Sequence, residues 1–173
     1  SDAKQHFTKL GLLAYVMRNC GKPIIAAVKG YAIGGGHELH LLCDITIAAD
    51  NARFGQVGPK VGSVPVWGAT QLLPRIVGEK KAREIIYLCR QYDAYEAERM
   101  GLVNKVVPLA DLEKEVEQWC QELLDKSPTA LRLAKLNLNH GSDIEFYSAY
   151  THGAELLIHF YGSDEQREGQ KAF

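Results

Sequence analysis

Between Ile24 and Gly36 the chain runs from a continuous branched apolar stretch, Ile24-Ile25-Ala26-Ala27-Val28, through Lys29-Gly30-Tyr31-Ala32-Ile33 into three consecutive glycines, Gly34-Gly35-Gly36. Five apolar residues bounded by turn formers read as a strand covered on both faces. His37–Cys43 holds enough leucine for a short helix, and Ile45–Ala49 reads as a second strand. Strand, tight turn, helix, strand is a building unit of α/β proteins. Glycine carries no side chain, so backbone N–H groups at this turn can come close to whatever docks there. The turn is therefore a candidate anion or oxyanion site, although glycine runs of this kind serve many α/β proteins.

The flanking pattern fills in the frame. Phe7, Leu10, Leu13 and Met17 recur at helical spacing and predict a helix over residues 7–18, stopped by Gly21 and Pro23. Gly55, Gly58, Pro59, Gly62, Pro65 and Gly68 place too many breakers between Phe54 and Thr70 for a regular element, so a long functional loop is expected there. From Gln71 the pattern turns helical, through Leu72, Leu73 and Ile76, then 82–89, then 94–100 closed by Gly101. Residues 102–107 are a short strand candidate. Leu112, Val116, Trp119, Leu123 and Leu124 form a stripe on a helix over 110–124, and Ser127 before Pro128 reads as the N-cap and first-turn proline of another, ending near Leu138. A last helical pattern covers 144–160, and a charged tail follows.

Several classes of function are disfavoured. At 173 residues, 46% of them apolar, the chain can bury one ordinary core. No stretch reaches the roughly 18 to 20 apolar residues of a bilayer span, and the first six residues do not resemble a signal peptide, so a cytoplasmic setting without a membrane partner is expected. Cys20, Cys43, Cys89 and Cys120 are too scattered for a zinc site or a disulfide scaffold and read as free thiols. A formal net charge of −1 supplies no field for nucleic acid. His37 and His40 have no evident third ligand, so they read as packing residues and no metal is expected.

The run Lys22-Pro23-Ile24-Ile25-Ala26-Ala27-Val28-Lys29-Gly30-Tyr31-Ala32-Ile33-Gly34-Gly35-Gly36-His37-Glu38-Leu39, with Cys43-Asp44 and Ala52-Arg53-Phe54-Gly55-Gln56, resembles the signature of the enoyl-CoA hydratase/isomerase (crotonase) superfamily. The likeness continues through 78–84, 94–104 and 167–173. It implies an α/β fold, the crotonase spiral of ββα turns, with residues 1–108 as the later part of the spiral core and 109–173 as a helical region that mediates trimerisation. An upstream portion of the family's fold has no counterpart in this chain. The implied partner is an acyl-CoA thioester, with no cofactor beyond the coenzyme A of the substrate, and the implied assembly is a homotrimer or hexamer.

The resemblance also implies site residues. Gly35 falls where the family's second oxyanion donor lies, beside Gly34, and Glu38 matches the first of two hydratase glutamates. The second falls at Gly58, and glycine cannot transfer a proton. The Gly58-Pro59-Lys60-Val61-Gly62-Ser63 run is closer to the branch of 1,4-dihydroxy-2-naphthoyl-CoA synthase and 2-ketocyclohexanecarboxyl-CoA hydrolase, within which Ser63 and Tyr161 match functional positions. Pro65 replaces that branch's catalytic aspartate, and Glu38 is hydratase-like, so the chain mixes two patterns. Val64 and Trp67 would border the acyl pocket.

Each of these residues also has a plainer reading. Glu38 could complement a helix dipole, Ser63 could be a turn residue, Tyr161 an interface aromatic and Trp67 a core plug. Lys80, Lys81 and Arg83 could meet CoA phosphates, or form an exposed helix face. The chemistry expected is enolate stabilisation on an acyl-CoA, with hydratase or lyase outcome. Ring closure or cleavage is one alternative, and non-catalytic CoA binding is another.

Overall fold

The computed structural model describes residues 2–160 and 162–172. Its organising motif is a repeated pair of strands. β1 (Ile25–Val28) and β2 (Tyr31–Ile33) are followed by α2 (Gly35–Leu42), and β3 (Ile45–Ala49) and β4 (Arg53–Gly55) then repeat the step. The first strand of each pair enters one sheet and the second enters another. β1 lies parallel to β3 with Ile25 opposite Ile45, and β2 lies parallel to β4 with Tyr31 opposite Arg53. β6 (Lys105–Val107) extends the first sheet, in the order β1-β3-β6, and β5 (Gln91–Asp93) adds antiparallel to β4 in the second. Two stacked ββα steps are the spiral that the resemblance implies.

Helices cover both sheets. α3 (Ala69–Val77), α4 (Glu79–Leu88) and α5 (Ala94–Arg99) enclose a core in which Phe54, Leu73 and Ile85 are fully buried. α6 (Leu112–Leu124) sets Leu112, Val116 and Trp119 against Ile47 and Val107 of the first sheet. α5 opens with a capping box in which Asp93 and Glu96 satisfy each other's backbone N–H groups.

Three expectations change. The strand over 24–28 is not covered on both faces: Ala27 of β1 is exposed. The helix over 7–18 is α1 (Asp2–Asn19), and its inward side runs through Leu10, Ala14, Met17 and Arg18 while Leu13 faces out. Gly11 allows this rotation, because a β-carbon there would stand 3.0 Å from the Tyr150 ring. The third change is α7, a single helix over Pro128–Phe160 that does not stop near Leu138.

Glycine inside a helix costs about 1 kcal/mol relative to alanine, and Gly141 falls within α7. Cross-helix bonds offset that cost on both sides of it. Asn139 donates to the Arg18 carbonyl, and the buried Arg18 guanidinium reaches Ser142 and Asp143. Lys135, also buried, donates to the carbonyls of Met17 and Lys22 and to the Asp44 carboxylate at 2.8 Å. One ammonium thereby ties α1, the entry to β1 and the entry to β3 onto α7. Ser127 accepts from Ala130 N, as an N-cap does. The charged tail forms α8 (Asp164–Ala172), which packs against the 58–61 turn. No helix among the described residues is long and apolar enough to cross a membrane.

Candidate active site

The glycine turn joins β2 to α2. Gly34 adopts φ 58°, ψ −120°, a conformation that disfavours any side chain, and caps the helix. Its N–H donates to the Gly55 carbonyl at 3.0 Å, and its own carbonyl accepts from Glu38 N at 3.0 Å. The N–H groups of the first helical residues, beginning at Gly35, have no partner within the helix and carry the positive end of its dipole. Gly35 and Gly36 are exposed, and a β-carbon on either would meet no atom within 4 Å. The approach to these donors is open.

One turn into α2, Glu38 is buried. Its Oε1 accepts from the backbone N–H of Trp67 at 2.7 Å and of Ala69 at 3.3 Å, where the loop enters α3. Burial pushes the carboxyl up to about 7, and the two amide bonds restrain the rise. A carboxyl balanced near neutrality can take and return protons, which is the requirement for general acid–base work. Both amides bond to the same oxygen, Oε1. Tyr150, from α7, completes this side. Burial raises its phenol, a hydrogen bond with the Gly11 backbone opposes the rise, and the nearby Glu38 carboxylate adds to it.

The other side of α2 carries His37 and His40, buried edge-to-face with centroids 4.9 Å apart. Burial lowers His37 to about 4; burial and then His37 hold His40 well below the ordinary value. Both imidazoles are neutral, with Nδ1 of His40 3.2 Å from the Thr46 hydroxyl and Nδ1 of His37 3.1 Å from Gln56 Nε2. Both rings pack in the core.

A groove of about 310 Å³ lies between β1, β2 and α2, lined by residues that include Ala26, Val28, Tyr31, Gly36 and Leu39. Glu38 is not among the residues that line it.

A family model described as enoyl-CoA hydratase/isomerase matches residues 2–173. The chain belongs to the enoyl-CoA hydratase/isomerase family. Its solved relatives include an enoyl-CoA hydratase from Mycobacterium avium subsp. paratuberculosis, 28% identical with a TM-score of 0.91 over 95% of this chain and 69% of that one. A monofunctional enoyl-CoA isomerase from M. smegmatis is 38% identical, with a TM-score of 0.73 over 82% of this chain and 67% of its own. An enoyl-CoA hydratase/isomerase from Cupriavidus metallidurans is 35% identical, with a TM-score of 0.77 over 95% and 62%. The chain thus spans about two thirds of the length of these relatives.

Within this family's frame, Gly34, Gly35 and Glu38 come together at the start of α2, and Trp67 joins them through its backbone. The Trp67 indole itself is buried, with Nε1 donating to the Leu10 carbonyl at 2.7 Å, so the side chain plugs α1 onto the loop. Gly58 begins a tight turn closed by Ser63 N donating to Gly58 O at 2.8 Å. A β-carbon on Gly58 would stand 2.8 Å from the Ser63 carbonyl, so this turn does not merely lack a glutamate but has no room for one. Among the described residues no hydrogen bond joins Ser63 to Glu38, and Val64 is exposed. Tyr161 lies outside the described residues. The basic cluster is locally engaged, with Lys81 on Glu84 and Arg83 on Glu79 and Tyr87. Gln56 and Tyr150 lie beside these residues without having been singled out: Gln56 is embedded in the glycine-rich signature, and nothing in the sequence points Tyr150 toward Glu38.

Proposed function

We propose that the site moves protons at the carbons next to an enoyl-CoA thioester, with Gly35 N–H holding the thioester oxygen as enolate charge develops and Glu38 as acid and base. The observation that carries this reading is the Glu38 carboxyl, buried, oriented by the Trp67 and Ala69 amides and brought to about 7, beside an unobstructed row of N–H donors. One oxyanion donor is worth about 10² to 10³ in rate. Shifting a double bond needs a single group that takes a proton from one carbon and returns it to another, whereas adding water calls for a second group to orient the water. With Gly58 unable to carry a carboxylate, isomerisation is the outcome the geometry favours, and hydration comes second.

The test is to follow a 3-enoyl-CoA and a 2-enoyl-CoA with the full-length protein and its Glu38→Gln variant. Isomerisation lost in the variant supports the reading. Hydration lost in its place makes the enzyme a one-glutamate hydratase. Acyl-CoA binding without turnover in either protein overturns catalysis and leaves a CoA-binding protein, while turnover only of a ring-forming substrate moves it to the naphthoyl-type branch. Self-association is part of the proposal: Leu124, Leu133 and Leu138 on the helical region are exposed apolar residues of the kind an oligomer covers. Light scattering that returns a monomer would remove that part.

A further inference from the structure

The Gly34–Gly35 peptide lies between residues that permit almost any backbone angle, so little in the chain itself holds its plane. A peptide is planar and trans, which means that fixing the Gly34 carbonyl also fixes the direction of the Gly35 N–H on the opposite edge. That carbonyl has two donors. One is Glu38 N at 3.0 Å, the first bond of α2, and the other is Gln56 Nε2 at 3.3 Å. Gln56 is fully buried, and its amide has a second neighbour, His37 Nδ1 at 3.1 Å.

The chemistry of these atoms allows one arrangement. A carbonyl oxygen accepts only, so the Gln56 group facing Gly34 must be the NH2. One of its hydrogens goes to Gly34 O and the other to His37 Nδ1, which must then present a lone pair and carry the ring proton on Nε2. Rotating the amide by half a turn would set Gln56 Oε1 against the Gly34 carbonyl, acceptor against acceptor. Gln56 Oε1 and His37 Nε2, the two ends of the chain, have no protein partner among the described residues, so no other bond orients the amide. The ring itself is fully buried and braced edge-to-face by His40, which in turn meets Phe54 at 5.1 Å.

We propose that His37 is a positioning residue which, through Gln56, holds the Gly34–Gly35 peptide so that the Gly35 N–H points to the open side of the turn. The inference rests on the reading of Gly35 as an oxyanion donor, and it adds the device that aims that donor. His37 touches no substrate. Its contribution is an acceptor lone pair at Nδ1, which sets the Gln56 amide.

The experiment compares His37→Leu, which keeps bulk and removes the acceptor, with His37→Asn, whose Oδ1 stands near the place of Nδ1. In protein labelled with ¹⁵N on glycine and histidine, the Gly35 amide signal is expected to move or broaden in His37→Leu and to return toward the wild-type position in His37→Asn. With substrate, kcat should fall about 10- to 100-fold in His37→Leu at a KM within about twofold, and recover within about threefold in His37→Asn. An unmoved Gly35 amide in His37→Leu, or equal damage from Asn and Leu, reduces His37 to packing and overturns the proposal. The wild type decides the matter even if neither variant folds, because the imidazole nitrogen shifts must show a bare Nδ1 and a protonated Nε2, and the opposite tautomer overturns it. A displaced amide with unchanged kcat leaves the positioning intact and refutes the role given to Gly35, so the two failures are distinguishable.

Discussion

On one side of α2 the Glu38 carboxyl is out of water yet remains able to ionise, because the amides of Trp67 and Ala69 stand where its charge would form. On the other side His37 and His40 are buried as deeply, but their neighbours are Gln56, Thr46 and Phe54, which offer dipoles and an aromatic face and no opposite charge. Burial alone disfavours the charged form of any group. It therefore raises the acid to the middle of the working range and drops the bases below it, so one helix holds a carboxyl that titrates near neutrality on one side and neutral imidazoles on the other.

The largest expected break in this contrast is Glu38→Gln, which should lower kcat by about 10² to 10⁴ while leaving the amide donors a partner. If Glu38 is the base, the wild-type rate should climb with pH and level off above about 7, and that limb should vanish in the variant. A pH–rate profile of each protein checks both statements.

Stability against pH separates the two sides more finely. Glu38 has a folded value above its unfolded one, so its contribution is fully present below about 4.5 and is lost as pH rises through about 7. His37 has a folded value below its unfolded one, so its contribution is fully present above about 6.5 and is lost as pH falls through about 4; His40 acts in the same direction. At about 1.4 kcal/mol per pH unit, each of Glu38 and His37 spans about 3 kcal/mol, and across pH 4.5 to 6.5 these two changes oppose and largely cancel. Glu38→Gln should therefore lose at least about 2 to 3 kcal/mol on acidification from pH 6.5 to 4.5, the part due to His37 with His40 adding to it, and His37→Asn should gain relative to wild type over the same interval. Urea midpoints at the two pH values are the measurement, and parallel curves for all three proteins would dissolve the contrast.

Gly58→Glu asks whether a second proton carrier can be supplied. The β-carbon would collide with the Ser63 carbonyl, so the expected outcome is a loss of about 1 to 3 kcal/mol without a gain in hydration. Trp67→Phe should be the mildest change. It removes the indole bond to Leu10, worth about 1 kcal/mol, and keeps the backbone donor to Glu38, so activity should stay within a few-fold of wild type in a thermal-melt and rate comparison.

The strand, glycine turn, helix and second strand were legible in the sequence because each is long enough, or punctuated sharply enough, to show a period and a stop. Glu38 could be singled out only through the family resemblance, because a carboxylate one turn into a helix reads on its own as a partner of the helix dipole. The three-residue strands β2, β4 and β5 are too short to alternate visibly; parallel or antiparallel pairing makes them, and pairing is a long-range property. α7 passes through Gly141 on the strength of bonds to Arg18, more than a hundred residues away, which no local propensity can register. The lack of space at Gly58 is likewise a fact about the Ser63 carbonyl folding back on it. Gln56 looked like one more letter of a motif until its amide was seen between Gly34 and His37.

Trp67 brings one more consequence. Its peptide nitrogen donates to Glu38 while its indole is anchored to Leu10, so the same residue links the buried carboxyl to a chromophore. The chain has only one other tryptophan, Trp119, which sits half-buried on α6 beside Glu115. With Trp119 replaced by phenylalanine, the tryptophan fluorescence of this chain would come from a single indole beside Glu38, and the fold would have supplied an optical probe of that carboxyl without any added label.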